Sequence, residues 1–395
     1  MKAGRTILIL ALVAVLLGTA LVLSMPRGLD FHIGGTKQPE ASAPVSDVPT
    51  LADCAILHEP EFGGVYIQNT IEQFNALGFA YGDSVDVTFS NGYTLHDLPY
   101  YNGYYTQTGE PLLIAYPGYD FIKAAVNSGD DLWEVAGLSE SDTATVTLFE
   151  RGKYLDIQNA RDIHYENDRD LYESDEIFAN FRAVKAGDIR PDRLFRSSSP
   201  CSNVIGRAAY ADKLMGEADV KWILNLADDS EKIETYFDDP AFASPNFRKL
   251  YDAGKVDPIA LDMNFTSVVF REKLASGLVN LSGQEGPYLV HCTEGKDRTG
   301  FVCMLLEALC GASYQEIVDD YMITYANYYG ITQAADPDRY AVIVSNVLDP
   351  MIRGMIGDPG ADLTTVDLTA AAEAFLTDAG MTEAQIVALR DCLTK

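Results

Sequence analysis

An α/β fold is what the sequence predicts: a central sheet flanked by helices, preceded by a small mainly-β domain and an N-terminal apolar helix. Three observations predict it. An uncharged apolar run opens the chain, two-residue alternation with hairpin signals fills the next third, and strand-length apolar runs then alternate with helix-length stretches. The expected organisation is residues 1–24 as signal peptide or signal anchor, 25–55 as flexible linker, 56–158 as a β-rich domain, and 159–395 as the α/β domain.

Lys2 and Arg5 precede the apolar run from Thr6 to Ser24. At ~1.5 Å per residue the run reaches about 28 Å, close to the hydrocarbon thickness of a bilayer. A secretory apolar core is usually shorter, so anchor and cleaved signal both stay open, with Ala41-Ser42-Ala43 as a small-residue cleavage candidate. The charges before the run place the amino terminus in the cytoplasm and the rest of the chain outside, secreted or held on the outer face of the membrane. Pro26, Pro39, Pro44 and Pro49 among small residues read as an extended linker.

In the β-rich part, Val85, Val87 and Phe89 alternate with Ser84, Asp86 and Thr88, and Asn91-Gly92 follows as a hairpin turn. Leu112–Tyr116 and Thr145–Phe149 are further strand candidates. Nine of the 22 tyrosines fall between Tyr66 and Tyr119. Amphipathic β cores hold tyrosine routinely, which favours a core role over a sugar-stacking or protein-binding face. The stretches Gly82–Phe89 and Tyr101–Tyr119 are loosely similar to the small β-barrel domain appended to some adenosylation enzymes, a likeness that imports no chemistry.

Further on, Val220–Leu226 and Pro287–Cys292 are short buried strands. Gly300–Cys310 is a nearly all-apolar helix ended by Gly311. Ile317, Tyr321 and Tyr325, four apart, mark a helix over 313–329, and Thr382-x-x-Gln385 is a capping box opening the last helix.

With 58 acidic against 29 basic side chains the net charge is -29, which excludes a basic nucleic-acid groove. A hydrophobic fraction of 47% excludes intrinsic disorder. The histidines and cysteines show neither Cys-x-x-Cys nor His-Glu-x-x-His spacing, so no metal is expected.

The chemistry is in His291-Cys292-Thr293-Glu294-Gly295-Lys296-Asp297-Arg298-Thr299-Gly300. A loop of five residues between a strand end and a helix start can curl until its backbone amides converge. Together with the positive end of the helix dipole they form an anion cradle. Gly295 permits the curl. Cys292 at its base sits in a field that favours thiolate. Arg298 can grip two phosphoryl oxygens with its planar fork. A thiolate under a bound phosphate implies phosphoryl transfer through a cysteinyl-phosphate, with no metal or organic cofactor needed.

The segment resembles the Cys-x5-Arg signature of the protein tyrosine and dual-specificity phosphatase superfamily. It is most similar to bacterial tyrosine phosphatases carrying His-Cys-x-x-Gly-Lys-Asp-Arg-Thr-Gly. Leu194–Pro200 and Asp320–Tyr329 are similar to that family's Arg-Ser strand and to the helix after its active-site helix. The resemblance, over about 179–393, implies a cysteine-phosphatase fold. It implies Cys292 as nucleophile, Arg298 as phosphate clamp, and amides of Thr293, Glu294, Gly295, Lys296 and Asp297 around the phosphate. Thr299 would hold its hydroxyl near the sulfur, and Arg196 and Ser197 would support the site from beneath. Where members carry Asp-Leu-Arg after an earlier strand, this chain reads Asn225-Leu226-Ala227-Asp228-Asp229. Loop carboxylates able to serve as general acid are Asp228, Asp229, Asp257 and Asp262, beside Asp297 in the cradle. Resemblance favours Asp297 as the acid, its plainer role being to orient Lys296, Arg298 or the loop amides.

Protein phosphotyrosine is the first expected substrate. Lys296 also points to phosphoinositides or inositol phosphates, since extra positive charge favours several phosphates. The rival of another class is a cell-surface binding protein led by the β domain. Cys201 is a candidate for a reversible disulfide with Cys292, while Cys303 and Cys310 are expected only to pack.

Overall fold

The computed structural model describes residues 48–395, which form one compact unit. The run Thr6–Ser24 and the cleavage candidate at 41–43 lie outside the described residues. Among the described residues no helix is long and apolar enough to cross a membrane.

Seven strands close into a barrel: β1 (Thr50–His58), β2 (Val65–Ile67), β3 (Ser84–Phe89), β4 (Thr94–Tyr101), β5 (Pro111–Ile114), β6 (Ile122–Val126) and β7 (Thr143–Glu150). Their order is β1-β2-β6-β5-β4-β3-β7, antiparallel except for β4 beside β5. Alternation fills the interior, with Val85, Val87 and Phe89 of β3 buried against Val146, Tyr100 and Leu113. Gly92, at φ +95, turns β3 into β4.

Two expected boundaries move. The linker was read to 55, yet β1 begins at Thr50 and pairs with β7 from Thr50↔Thr147. A bulge between Leu51 and Cys54, with Asp53 at φ +48, interrupts the alternation that would have announced this strand. The boundary at 158 falls inside a helix, Leu155–Arg161, that follows β7 directly.

The second sheet contains β8 (Arg182–Ala183), β9 (Leu194–Ser197), β10 (Trp222–Asn225), β11 (Val256–Pro258) and β12 (Tyr288–His291). Its order is β11-β10-β12-β9-β8, parallel except for β8. Odd and even residues pack on opposite faces. Trp222, Leu224, Tyr288 and Val290 meet the helices Val268–Ser282 and Asp297–Leu309. Ile223 and Leu289 meet Ala211, Leu214 and Phe247 on the other side. Asn225, His291 and Ser197 stand in register, so the loops after β10, β12 and β9 leave the sheet at one edge. In a parallel sheet that edge is where ligands bind.

A buried ionic knot ties this edge to the helix Tyr314–Tyr329. Asp320 accepts from Arg182 Nε at 3.0 Å and Arg196 Nη1 at 2.6 Å. Burial opposes ionisation of Asp320, but the two guanidiniums overcome it and hold the carboxyl well below its usual range. Its contribution to stability is therefore full above that range and is lost as pH falls through it. Asp320→Ala leaves two buried cations uncompensated and is expected to cost about 3–5 kcal/mol, read from the urea-unfolding midpoint.

Candidate active site

The loop after β12 is shaped from outside. Thr293 O accepts from Ser199 N (3.0 Å), and Glu294 O from the Tyr328 hydroxyl (2.6 Å). Gly295 O accepts from Arg196 Nη2 (3.0 Å) and Asn180 Nδ2 (3.3 Å). Across a planar trans peptide the following N–H points opposite to the carbonyl. Three outward carbonyls in succession therefore turn the amides of Glu294, Gly295 and Lys296 inward. Among the described residues no protein acceptor takes the amides of Thr293 to Arg298. Gly295 has φ +70, and a Cβ there would lie 2.2 Å from Ser197 O, so any other residue forces the loop off the sheet edge.

Cys292, 3% exposed, sits at the base of this curl, where the helix Asp297–Leu309 begins. Arg298 donates to Leu261 O (3.1 Å) and Thr293 Oγ1 (3.3 Å), which fixes its fork beside the loop. Thr299 is fully buried with its hydroxyl unpartnered. His291 Nδ1 meets Cys292 O at 3.2 Å, and burial pushes the ring down to about 4, so it orients the loop as a neutral imidazole.

Lys296 is not a free cation. It pairs with Glu294 at 3.0 Å, lies 3.8 Å from Asp297 and donates to the Tyr329 hydroxyl at 3.3 Å. Burial works against its charge, but Asp297 and Glu294 hold the ammonium well above its usual range. Glu294 also accepts from Tyr165 (2.9 Å). Cys292, Thr293, Glu294, Gly295, Lys296, Asp297, Arg298 and Thr299 thus gather at one strand-to-helix turn, but the Lys296 charge is largely offset.

The other carboxylates are committed elsewhere. Asp228 is buried, accepting from Tyr236 (2.8 Å) and Asn225 (3.1 Å). Asp229 caps the helix Ser230–Phe237. Asp257 accepts from Asn280, and Asp262 from the Asn264 amide. Asp297 is the one of the five that lines the cleft above the loop, a third exposed. The turn that replaces Asp-Leu-Arg closes on itself, with Asn225 Oδ1 accepting from the amides of Ala227 and Asp228.

Cys201 is buried and bonded to Ser199, with its sulfur 4.0 Å from Asp228 Oδ2. Burial pushes its thiol far up. That is the inert type of cysteine, and the reversible disulfide with Cys292 finds no support there. All six cysteines are free, and Cys303 and Cys310 are buried in the core.

Sequence reasoning missed Asn180, Ser199, Arg207, Asp320 and Tyr328. Arg207 is fully buried, with the rings of Phe178, Tyr328, Tyr165 and Tyr172 within 4.3–5.0 Å, and it pins Tyr165 beside Glu294. One signal was available. Asp320, Thr324 and Tyr328 recur every four residues, a polar stripe next to the apolar one that was read.

For a cation, His58, Asp131 and Glu134 come within ligating spread on the barrel. Asp131 is already taken by the amides of Gly64 and Trp133 and by His58 at 2.6 Å.

The tyrosine phosphatase family matches residues 154–395, more than half of the chain. The chain belongs to that family. The match begins earlier than the resemblance read from the sequence and takes in Tyr165. A tyrosine-protein phosphatase from Nostoc commune is 39% identical over 77 residues, which are 20% of this chain and 26% of that relative. Among solved structures, the core catalytic domain of a PP-IP phosphatase from S. cerevisiae, in complex with citrate, is similar at 23% identity and a TM-score of 0.26. It covers 42% of this chain and 93% of its own.

Gly295→Ala is expected to weaken inorganic phosphate binding at least about tenfold by calorimetry, because the inward amides lose their alignment. The low His291 value gives a second expectation. Between about 4 and the unfolded value near 6.5 the unfolded chain binds the extra proton, so stability rises with pH across that window. In His291→Asn the slope of the urea midpoint against pH should be shallower there.

Proposed function

We propose that this tyrosine phosphatase family member hydrolyses phosphate monoesters, protein phosphotyrosine first, through a cysteinyl-phosphate on Cys292. The supporting observation is the loop whose carbonyls are all held from outside, which leaves inward amides above a buried cysteine and beside Arg298. The amides and Arg298 bind the phosphoryl oxygens, and their charge complementarity rises as the transition state forms. The Cys292 thiolate forms the S–P bond as the P–O bond to tyrosine breaks, and Asp297 delivers a proton to the leaving phenoxide. Water then attacks phosphorus, giving its proton back to Asp297, while the S–P bond breaks and inorganic phosphate leaves. Thr299 donates to the departing sulfur.

Phosphotyrosine is preferred to inositol phosphates because Glu294 offsets Lys296, the charge that would have favoured several phosphates. We place the catalytic part outside the cytoplasmic membrane, on the strength of the charged and apolar sequence from Lys2 to Ser24.

Cys292→Ser should abolish turnover of p-nitrophenyl phosphate. Full activity in that variant would sink the thiolate mechanism, and absence of turnover in the unmodified protein would favour the binding-protein reading. Asp297→Asn should lower kcat for phosphotyrosine by roughly 10²–10⁴-fold. The loss should be far smaller for p-nitrophenyl phosphate, whose leaving group hardly needs a proton. Equal losses on both substrates, with the leaving-group dependence appearing in Asp228→Asn, would move the acid to the other loop.

A further inference from the structure

The cleft lined by Glu294, Lys296 and Asp297, with Cys292 and Arg298 outside its lining, continues across to the barrel and has a volume of about 1520 Å³. Small-ligand sites run to roughly 300–1,000 Å³, so this one has room for more than a phosphorylated ring. Its far wall comes from the barrel: Tyr104, Tyr105, Gln107, Tyr116 and Asn127. The wall is fixed rather than hinged. Gln107 donates to Asn346 O (2.9 Å), Arg161 to Asn346 Oδ1 (3.2 Å), and Asn264 to Ser128 O (3.1 Å). Tyr105 packs 5.4 Å from Tyr101 and 5.1 Å from the Arg161 guanidinium. Burial, then Asp162, push its phenol up to about 12 while Arg161 and Lys296 pull the other way, so the barrel tyrosine feels the catalytic loop.

The charges of the cleft point to one kind of occupant. Of its cations only Lys296 is offset by a carboxylate, Glu294; Arg161 is held by Asn346 and Tyr105, Arg271 lies over the Phe375 ring (4.9 Å) and Arg353 donates to Ala361 O (3.4 Å), all neutral partners that keep those charges in the walls. On the barrel side Glu110 is exposed within it, and Asp162 is exposed beside His164 (3.2 Å), on a chain of net charge -29. An exposed acid on the barrel wall favours a cation placed against that wall. Planar phenols and side-chain amides suit an extended backbone and its side chains.

We infer that the barrel is the specificity wall of the substrate cleft, selecting phosphotyrosine in an extended polypeptide segment with basic neighbours through Tyr105, Tyr116 and Glu110. The inference rests on the reading of Cys292 as a phosphotyrosine-directed nucleophile and names what that site reads around the phosphate.

The test measures kcat/KM of the full chain on four substrates: a phosphotyrosyl peptide with lysine flanks, the same peptide with glutamate flanks, p-nitrophenyl phosphate and inositol hexakisphosphate. The lysine-flanked peptide should lead. Tyr105→Ala and, independently, the exposed-site variant Tyr116→Ala should each lower kcat/KM for that peptide several-fold more than for p-nitrophenyl phosphate. Glu110→Gln, which keeps the oxygen that accepts the Gln107 amide, should narrow the gap between lysine and glutamate flanks. Equal losses on peptide and p-nitrophenyl phosphate in both tyrosine variants, or no flank preference in the unmodified protein, would overturn the inference while leaving the phosphatase reading intact. A lead for inositol hexakisphosphate would overturn it in favour of a small polyanion. No turnover of any substrate by the unmodified protein would refute the phosphatase reading, and the inference with it.

Discussion

The Arg196 guanidinium is wholly buried and shared between two partners, the Asp320 carboxylate and the Gly295 carbonyl. The carboxylate makes the buried charge tolerable, and the carbonyl uses it. A guanidinium without Asp320 would be too costly to keep at the sheet edge. Without the guanidinium, the Gly295 carbonyl would lose the stronger of its outside donors, and the adjoining amide would be free to rotate. The shape of the loop is thus set by a residue that touches neither the cysteine nor the cleft. Gly295 completes the arrangement, because only a residue without Cβ lets the loop lie against Ser197.

Charge is handled differently on the two sides of this loop. Below it, Arg182 and Arg196 are balanced by Asp320, with Glu307 buried nearby and pushed toward its neutral form by burial and by Asp320. Above it, Lys296 is balanced by Glu294, leaving Arg298 and the amides as the positive surface within the curl. An acidic chain can therefore hold a local anion site, since the site depends on oriented amides and one fork rather than on net charge.

Tyrosine serves two purposes in the barrel. Tyr100 and Tyr101 are buried in its packing, whereas Tyr104, Tyr105, Tyr116 and Tyr119 face the cleft. The switch follows from position on the strand: β4 ends at Tyr101, and the loop beyond it leaves the barrel interior toward the sheet edge. The core role expected for the tyrosines holds for part of the cluster, and the others form a wall.

The sequence by itself determined the order of strand, loop, glycine and helix that carries Cys292 and Arg298, because that order is local, whereas the curl of the loop is held from other elements by Arg196, Asn180, Ser199 and Tyr328. Cys292, Gly295 and Arg298 fall within seven consecutive residues between a strand end and a helix start. It also announced the capping box of the last helix, the buried helix and the β alternation, each set by spacing along one element. Only the tertiary structure decided that the Lys296 charge is paired, that Asp228 and Asp229 are occupied, and that Cys201 is buried. Those outcomes depend on partners such as Asn225, Tyr165 and Tyr329 that reach the site from separate elements. It alone decided that β1 starts within the expected linker, where a bulge hides the period, and that the barrel faces the loop. Burial and pairing are properties of distances between remote segments, and no periodicity along the chain encodes those distances.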